Sequence, residues 1–220
     1  MPFKPTEREY RSMPIMTPDD NERRILRGYA CTFEDAYELF SDDRDIVKEI
    51  ISRDAFDGCS KDDTILQLNH EGPVYARTKN SSLIIKPDEH GLFMEAELQS
   101  ERGRLLYEDV RLGLLTQMSF GFVVGSGNDE WDHEQIDPLT GRRIHLRRIN
   151  KIKRLFDVSV VNFPANPNTE VMSVRNYVDG VIAEFNQEFD KRKLEELRIE
   201  TERQRALLRA RLLQFTNGGK

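Results

Sequence analysis

The sequence is short of the residues on which several classes of protein depend. It has only two cysteines, Cys31 and Cys59, too few for a disulfide framework and without the spacing of metal ligands. No apolar run approaches the roughly 20 residues that cross a bilayer, and the first residues lack an apolar signal core. The formal net charge of −6 gives no basic excess for nucleic acid or an anionic membrane. We therefore expect a soluble protein that acts inside a cell and binds neither nucleic acid nor membrane.

Histidine is also scarce, which limits the choice of a catalytic base. Of the four histidines, His90 lies in a predicted turn and His145 in a basic run. His133 lies in the acidic part of a polar stretch, residues 125–143, that is predicted to be a long loop or an extended hairpin tip. His70 lies where a predicted strand, TILQLNHEG, opens into a loop, and active-site residues are common at such positions. From position alone, a structural histidine that hydrogen-bonds the turn is the commoner interpretation.

The chain divides into three parts by composition. Residues 1–24 are polar and rich in proline, which predicts a flexible N-terminal arm. Residues 25–175 have the alternation of a β-rich body, with a hairpin around Pro87–Gly91 and a helix that begins after Ser100 as its N-cap. Residues 176–220 have apolar side chains at a period of about 3.5–3.6 with dense charge between them, which predicts a long amphipathic helix with a break near Asp190. This tail has three interpretations: it packs on its own β body, it contacts a partner, or it is removed by cleavage of the chain.

The segment TQMSFGFVV predicts a strand with one apolar face and one small or polar face. Met118, Phe120 and Phe122 lie on the apolar face, whereas Ser119 and Gly121 lie on the other. That second face is either the solvent face or a place where another group approaches Ser119.

The segment RLFDVSVVNF places an aspartate in the middle of an apolar strand. Leu155, Asp157 and Ser159 are predicted to share one face. A buried carboxylate costs several kcal/mol unless it is paired or hydrogen-bonded. Asp157 is therefore either exposed to solvent or paired, and a histidine N–H is the partner of catalytic interest.

Five blocks of the chain occur together in an order that resembles a known family: GYACTF, LNHEG…ART, GLFMEAEL, MSFGF and LFDVSVVNFPANPNTEV. They resemble the prohead (capsid-maturation) proteases of tailed bacteriophages, which are similar in fold to the herpesvirus maturation protease. The resemblance runs from about Arg24 to Arg175. It implies an α+β fold, a small and mostly antiparallel β-barrel with flanking helices, followed by the long C-terminal amphipathic helix.

The resemblance also implies catalytic roles for three residues. His70 would be the general base, Ser119 the nucleophile and Asp157 the acid that orients the histidine, although many relatives have glutamate there. Gly121 would let a substrate backbone approach. The oxyanion donors are left open, with Arg148 and Arg154 as candidates. We expect no cofactor and no metal.

By the same resemblance, the chain is a serine endopeptidase. Its substrates would be the scaffolding part of the major capsid protein, the internal scaffold and the protease itself. It would act in the host bacterial cytoplasm, inside the assembling procapsid, and associate with itself there. One alternative is a non-enzymatic assembly scaffold or chaperone with a protease-like body. Another is a metal-dependent hydrolase that uses DEWDHE, which lacks a two-histidine spacing.

Overall fold

The computed structural model describes residues 9–15, 23–162 and 171–217. The elements in chain order are β1 (Glu9–Pro14), β2 (Ile25–Thr32), β3 (Tyr37–Ser41), β4 (Asp45–Ile51), β5 (Ile65–Leu68), β6 (Glu71–Arg77), a short 3-10 helix (Thr78–Asn80), β7 (Leu83–Pro87), β8 (Gly91–Glu97), α1 (Glu101–Arg111), β9 (Gln117–Val124), β10 (Asp129–Ile136), β11 (Arg143–Ile149), β12 (Ile152–Val161) and α2 (Val171–Asn217).

The strands form three sheets. Their orders are β1-β9-β12-β5-β6, β10-β11-β4-β3 and β2-β8-β7. β12 with β5 and β11 with β4 are parallel, and the other strand pairs of the described residues are antiparallel. The expected α+β class with mostly strands is therefore confirmed. The expected barrel is not found. Within the described residues, each of the three sheets has two edge strands that do not pair with each other, so none of the sheets closes on itself.

Part of the predicted N-terminal arm is a strand instead. β1 pairs antiparallel with β9, and the Ile15 N–H donates to the Thr116 carbonyl at 2.8 Å just beyond it. The sequence gives little sign of this strand, because the side chains of Glu9 and Arg11 are charged although both are buried. The remainder of the predicted arm, residues 1–8 and 16–22, lies outside the described residues.

The apolar face predicted for β9 is confirmed. Met118, Phe120 and Phe122 are completely buried, and the two phenylalanine rings stack with centroids 4.7 Å apart. Val158 and Val160 of β12 join them in the same core cluster. Burying this apolar surface commits one face of the five-stranded sheet to the core.

Other local predictions are also confirmed. β7 and β8 form the expected hairpin, and the Ser100 hydroxyl accepts the Gly103 N–H at 3.0 Å as the N-cap of α1. The polar stretch 125–143 is mostly a hairpin, since β10 pairs with β11 across a turn at residues 137–142. The DEWDHE segment therefore lies in a strand and not in a loop.

The chain divides into two compact units, 1–175 and 176–220. α2 is continuous for 47 residues and does not break at Asp190 as predicted. The residues around Asp190, 181–217, contain no glycine or proline to interrupt the helix. Several of its apolar side chains are exposed, among them Phe189, Leu194 and Leu197. No helix in the described part of the chain has the length and apolarity required to cross a membrane.

Candidate active site

Ser119 lies in the interior of the five-stranded sheet, on the face of β9 opposite the core side chains. Its strand pairs with β1 on one side and β12 on the other, and Ser159 of β12 is its direct cross-strand partner. Ser119 has no exposed surface, so the small face of β9 is not the solvent face. Two ladders fix its backbone, which holds the hydroxyl in one place.

His70 occupies a tight turn between β5 and β6. The predicted single strand TILQLNHEG is a hairpin instead, in which Leu68 and Glu71 pair across Asn69 and His70. Both turn residues have positive φ, 52° at Asn69 and 61° at His70, as a two-residue type I′ turn requires. Asparagine is favoured at the first position, but glycine is the usual residue at the second. His70 therefore holds a conformation that costs about 1–2 kcal/mol for a residue with a Cβ.

The turn is tied to the end of β12 through Asn69. Its N–H donates to the Val160 carbonyl at 2.9 Å, and its side-chain oxygen accepts the Asn162 N–H at 2.9 Å. These two bonds bring the β5–β6 turn over the strand that carries Asp157.

Asp157 lies on β12, and a β-bulge there changes the predicted facing of its neighbours. Leu155 pairs with Phe122 and Asp157 with Gly121, so Phe156 is the extra residue of the bulge. Leu155 therefore packs in the core instead of sharing a face with Asp157. The side chain of Asp157 is only 1% exposed and lies on the same face of the sheet as Ser119.

The structure brings the three predicted site residues into one chain of hydrogen bonds. His70 Nδ1 is 2.5 Å from Asp157 Oδ1, and His70 Nε2 is 2.8 Å from Ser119 Oγ. An ionised carboxylate only accepts hydrogen bonds, so it favours the tautomer in which Nδ1 carries the proton. In that tautomer Nε2 accepts the Ser119 O–H.

Two further residues that sequence reasoning missed support this arrangement. The Ser159 hydroxyl, which is buried, donates to Asp157 Oδ1 at 2.9 Å. The other is Asn69, through its contacts with the end of β12. The available signals were the i, i+2 spacing of Asp157 and Ser159 in one strand and the preference of asparagine for positive φ.

The other residues considered from the sequence lie elsewhere. Arg148 donates to Glu34 at 2.7 Å, and the Arg154 guanidinium lies 4.8 Å from the centroid of the Phe156 ring, so these contacts give neither arginine an oxyanion role.

The remaining histidines are also engaged away from the site. His133 Nδ1 is 2.6 Å from His145 Nδ1, and His145 Nε2 is 3.0 Å from Asp45. His90 is exposed and packs edge-on against Tyr29. Among the described residues, no group of three or more His, Cys, Asp or Glu side chains is arranged to hold a metal ion.

A hydroxyl, an imidazole and a buried carboxylate in hydrogen-bonded series form the arrangement of groups used by serine hydrolases. A comparison with protein families agrees with that class. The family described as caudovirus prohead serine protease matches residues 11–183, so the chain belongs to this family, and the resemblance seen in the sequence is confirmed. Comparisons with curated proteins and with solved structures gave no match.

Proposed function

We propose that the protein is a serine endopeptidase in which Ser119 is the nucleophile, His70 the general base and Asp157 the acid that orients His70. The observation that supports this most directly is the hydrogen-bonded series from Ser119 Oγ through the imidazole to Asp157 Oδ1. Family membership supports the reaction class.

In the proposed reaction, Ser119 Oγ attacks the carbonyl carbon of the scissile peptide bond while His70 Nε2 takes the hydroxyl proton. The tetrahedral intermediate collapses to an acyl-enzyme, and the imidazolium gives its proton to the leaving amine. A water molecule then attacks the ester, with His70 again as the base, and the free hydroxyl is restored. Asp157 accepts the Nδ1–H throughout and stabilises the imidazolium.

Gly121 contributes by the absence of a side chain. It lies directly opposite Asp157 in the β9–β12 ladder, on the face that carries Ser119. Cross-strand Cβ atoms are about 4.5–5.5 Å apart, so a side chain here would crowd the carboxylate and any peptide brought to Ser119. Because Ser119 has no exposed surface, a substrate reaches it only after neighbouring groups move apart.

The proposed substrates are the scaffolding part of the major capsid protein, the internal scaffold and the protease itself, cleaved inside the procapsid in the host cytoplasm. Family membership supports this assignment. The tail α2 would bind scaffold or capsid precursor, or a second copy of the chain. The exposure of its apolar residues, such as Leu194 and Leu197, supports contact with a partner.

Co-expression with the capsid protein of the same phage tests the proposal. Mass spectrometry should find trimmed capsid N-termini with the wild type and none with Ser119→Ala, whose fold should be intact because the hydroxyl bonds only within the site. Ser82→Ala is the matched control, since Ser82 is a buried serine whose hydroxyl bonds Asn80 and the Arg77 backbone. Equal trimming by wild type and Ser119→Ala would refute the proposal. Normal procapsid assembly with no trimming by the wild type would favour the scaffold alternative.

A further inference from the structure

We propose that Ser159 is a positioning residue of this reaction, whose hydroxyl holds the Asp157 carboxylate in the orientation that accepts the His70 Nδ1–H. This inference rests on the proposed function and adds a fourth residue to it. Ser159 acts through Asp157 and touches neither the substrate nor the nucleophile's proton.

The position of Ser159 makes its hydrogen bond independent of solvent. It follows Asp157 by two residues on β12, so both side chains lie on the same face, and Oγ is 2.9 Å from Oδ1. Ser159 has no exposed surface, so water does not compete for this bond. A hydrogen bond to an ionised group in such surroundings is roughly twice as strong as a neutral one.

Asp157 depends on few donors. Oδ2 is buried and has no hydrogen-bond partner among the described residues, whereas Oδ1 accepts from both His70 and Ser159. Burying a carboxylate is costly unless it accepts hydrogen bonds. If His70 were the one donor, a single hydrogen bond would hold Oδ1, and the carboxylate could rotate about that bond. The Ser159 bond supplies a second fixed point on the same oxygen.

Ser159 is not a second nucleophile, although it lies directly opposite Ser119 in the ladder. Its hydroxyl proton is donated to Asp157, and Nε2 of His70 accepts from Ser119. The hydrogen bonds therefore distinguish two serines that are equivalent in register. One is bonded to the base and the other to the acid.

The test measures the rate at which a fluorophosphonate probe labels Ser119 in the full chain, in procapsids formed by co-expression with the capsid protein. We expect Ser159→Ala to label about tenfold more slowly than the wild type, the effect of one hydrogen bond to a charged group. Ser82→Ala should label at the wild-type rate. Asp157→Asn should be slower by orders of magnitude, because it disturbs the histidine tautomer. The double variant Ser159→Ala/Asp157→Asn should be no slower than Asp157→Asn alone.

A spectroscopic measurement separates positioning from a merely structural effect. The His70 Nδ1–H shared with Asp157 should give a low-field proton NMR signal that is absent from His70→Ala. Ser159→Ala should shift or broaden that signal while the thermal unfolding temperature changes no more than in Ser82→Ala.

Three results would count against the proposals in different ways. Wild-type labelling and an unchanged NMR signal in Ser159→Ala would overturn the role of Ser159 and leave the protease proposal standing. An equal loss of rate from Ser159→Ala in the wild-type and Asp157→Asn backgrounds would show that Ser159 does not act through the carboxylate. A wild type that neither labels at Ser119 nor trims the capsid protein would overturn both proposals.

Discussion

Glu49 lies at the centre of a buried group of charges that joins β1 to β4 and β11. Its carboxylate accepts from Arg11 Nε at 2.6 Å and Nη2 at 2.7 Å, from Arg147 Nη1 at 3.1 Å and from the Tyr37 hydroxyl. Glu9 accepts from both arginines, and Asp129 accepts from Arg147 Nε at 2.8 Å. Burial alone would raise the pKa of Glu49, but the guanidinium groups of Arg11 and Arg147 hold it below the ordinary value. The carboxylate is therefore ionised and balances charge in the interior.

Glu49→Gln keeps the size of the side chain and removes its charge. Arg147 would keep Glu9 and Asp129 as partners, whereas Arg11 would keep Glu9 but lose its two bonds to an ionised Glu49. Breaking a buried ion pair from one side typically costs about 3–5 kcal/mol of unfolding free energy. Glu95→Gln is the matched control, because Glu95 pairs with Arg27 at 2.8 Å with both side chains about one-third exposed. Such a pair contributes about 0–1 kcal/mol.

Urea unfolding of both variants, monitored by circular dichroism, measures the difference. We expect the midpoint to fall strongly for Glu49→Gln and barely for Glu95→Gln, with similar slopes. The loss should also slow capsid trimming, since β1 forms one of the two ladders that hold the Ser119 strand. If both variants lose the same stability to within about 1 kcal/mol, the buried group does not need the Glu49 charge and the reasoning is wrong.

Two further predictions concern the strained turn at His70 and the pH dependence of stability that His133 contributes. His70→Gly should unfold with about 1 kcal/mol more free energy than His70→Ala, because both lose the imidazole and only alanine strains the positive φ of 61°. Equal stabilities in urea would show that the turn is not strained. Burial, together with His145, lowers the pKa of His133 from its ordinary 6.5, so the unfolded chain binds more protons in the window just below 6.5. Stability should therefore fall as pH drops through that window, and His133→Gln should flatten this part of the urea-midpoint profile; an unchanged slope would contradict the assignment.

Local features of the fold could be predicted because their signals lie within one segment. The apolar face of β9 follows from the period-two alternation of Met118, Phe120 and Phe122, and the start of α1 follows from Ser100. β1 could not be predicted, because its inward side chains are charged and their partners lie far along the chain. The bulge at Phe156 is likewise invisible to alternation, since one extra residue shifts the register without changing the composition.

The candidate site could be predicted only in part. The chain has four histidines, so there are four candidates for a histidine base. The family resemblance selects His70 among them, together with Ser119 and Asp157. The structure brings the side chains of Ser119 and Asp157 within hydrogen-bonding distance of His70. Their catalytic roles remain a prediction. The turn geometry of His70 and the contact of Ser159 with Asp157 depend on strand pairing, which a single sequence does not display.

The hydroxyl and the carboxylate of the site are carried by adjacent strands, whereas the imidazole is carried by a two-residue turn of the next strand. Ser119 and Asp157 are diagonal neighbours in one ladder, since Ser119 pairs with Ser159 and Asp157 with Gly121. The ladder therefore sets their separation, and loop motion does not alter it. One inserted residue after Asn69 would swing the ring away and leave the five-stranded sheet whole. The sheet can therefore be kept while the catalytic arrangement is lost. We expect a relative with the same sheet but a longer β5–β6 turn to lack the hydrogen bonds that join serine, histidine and aspartate.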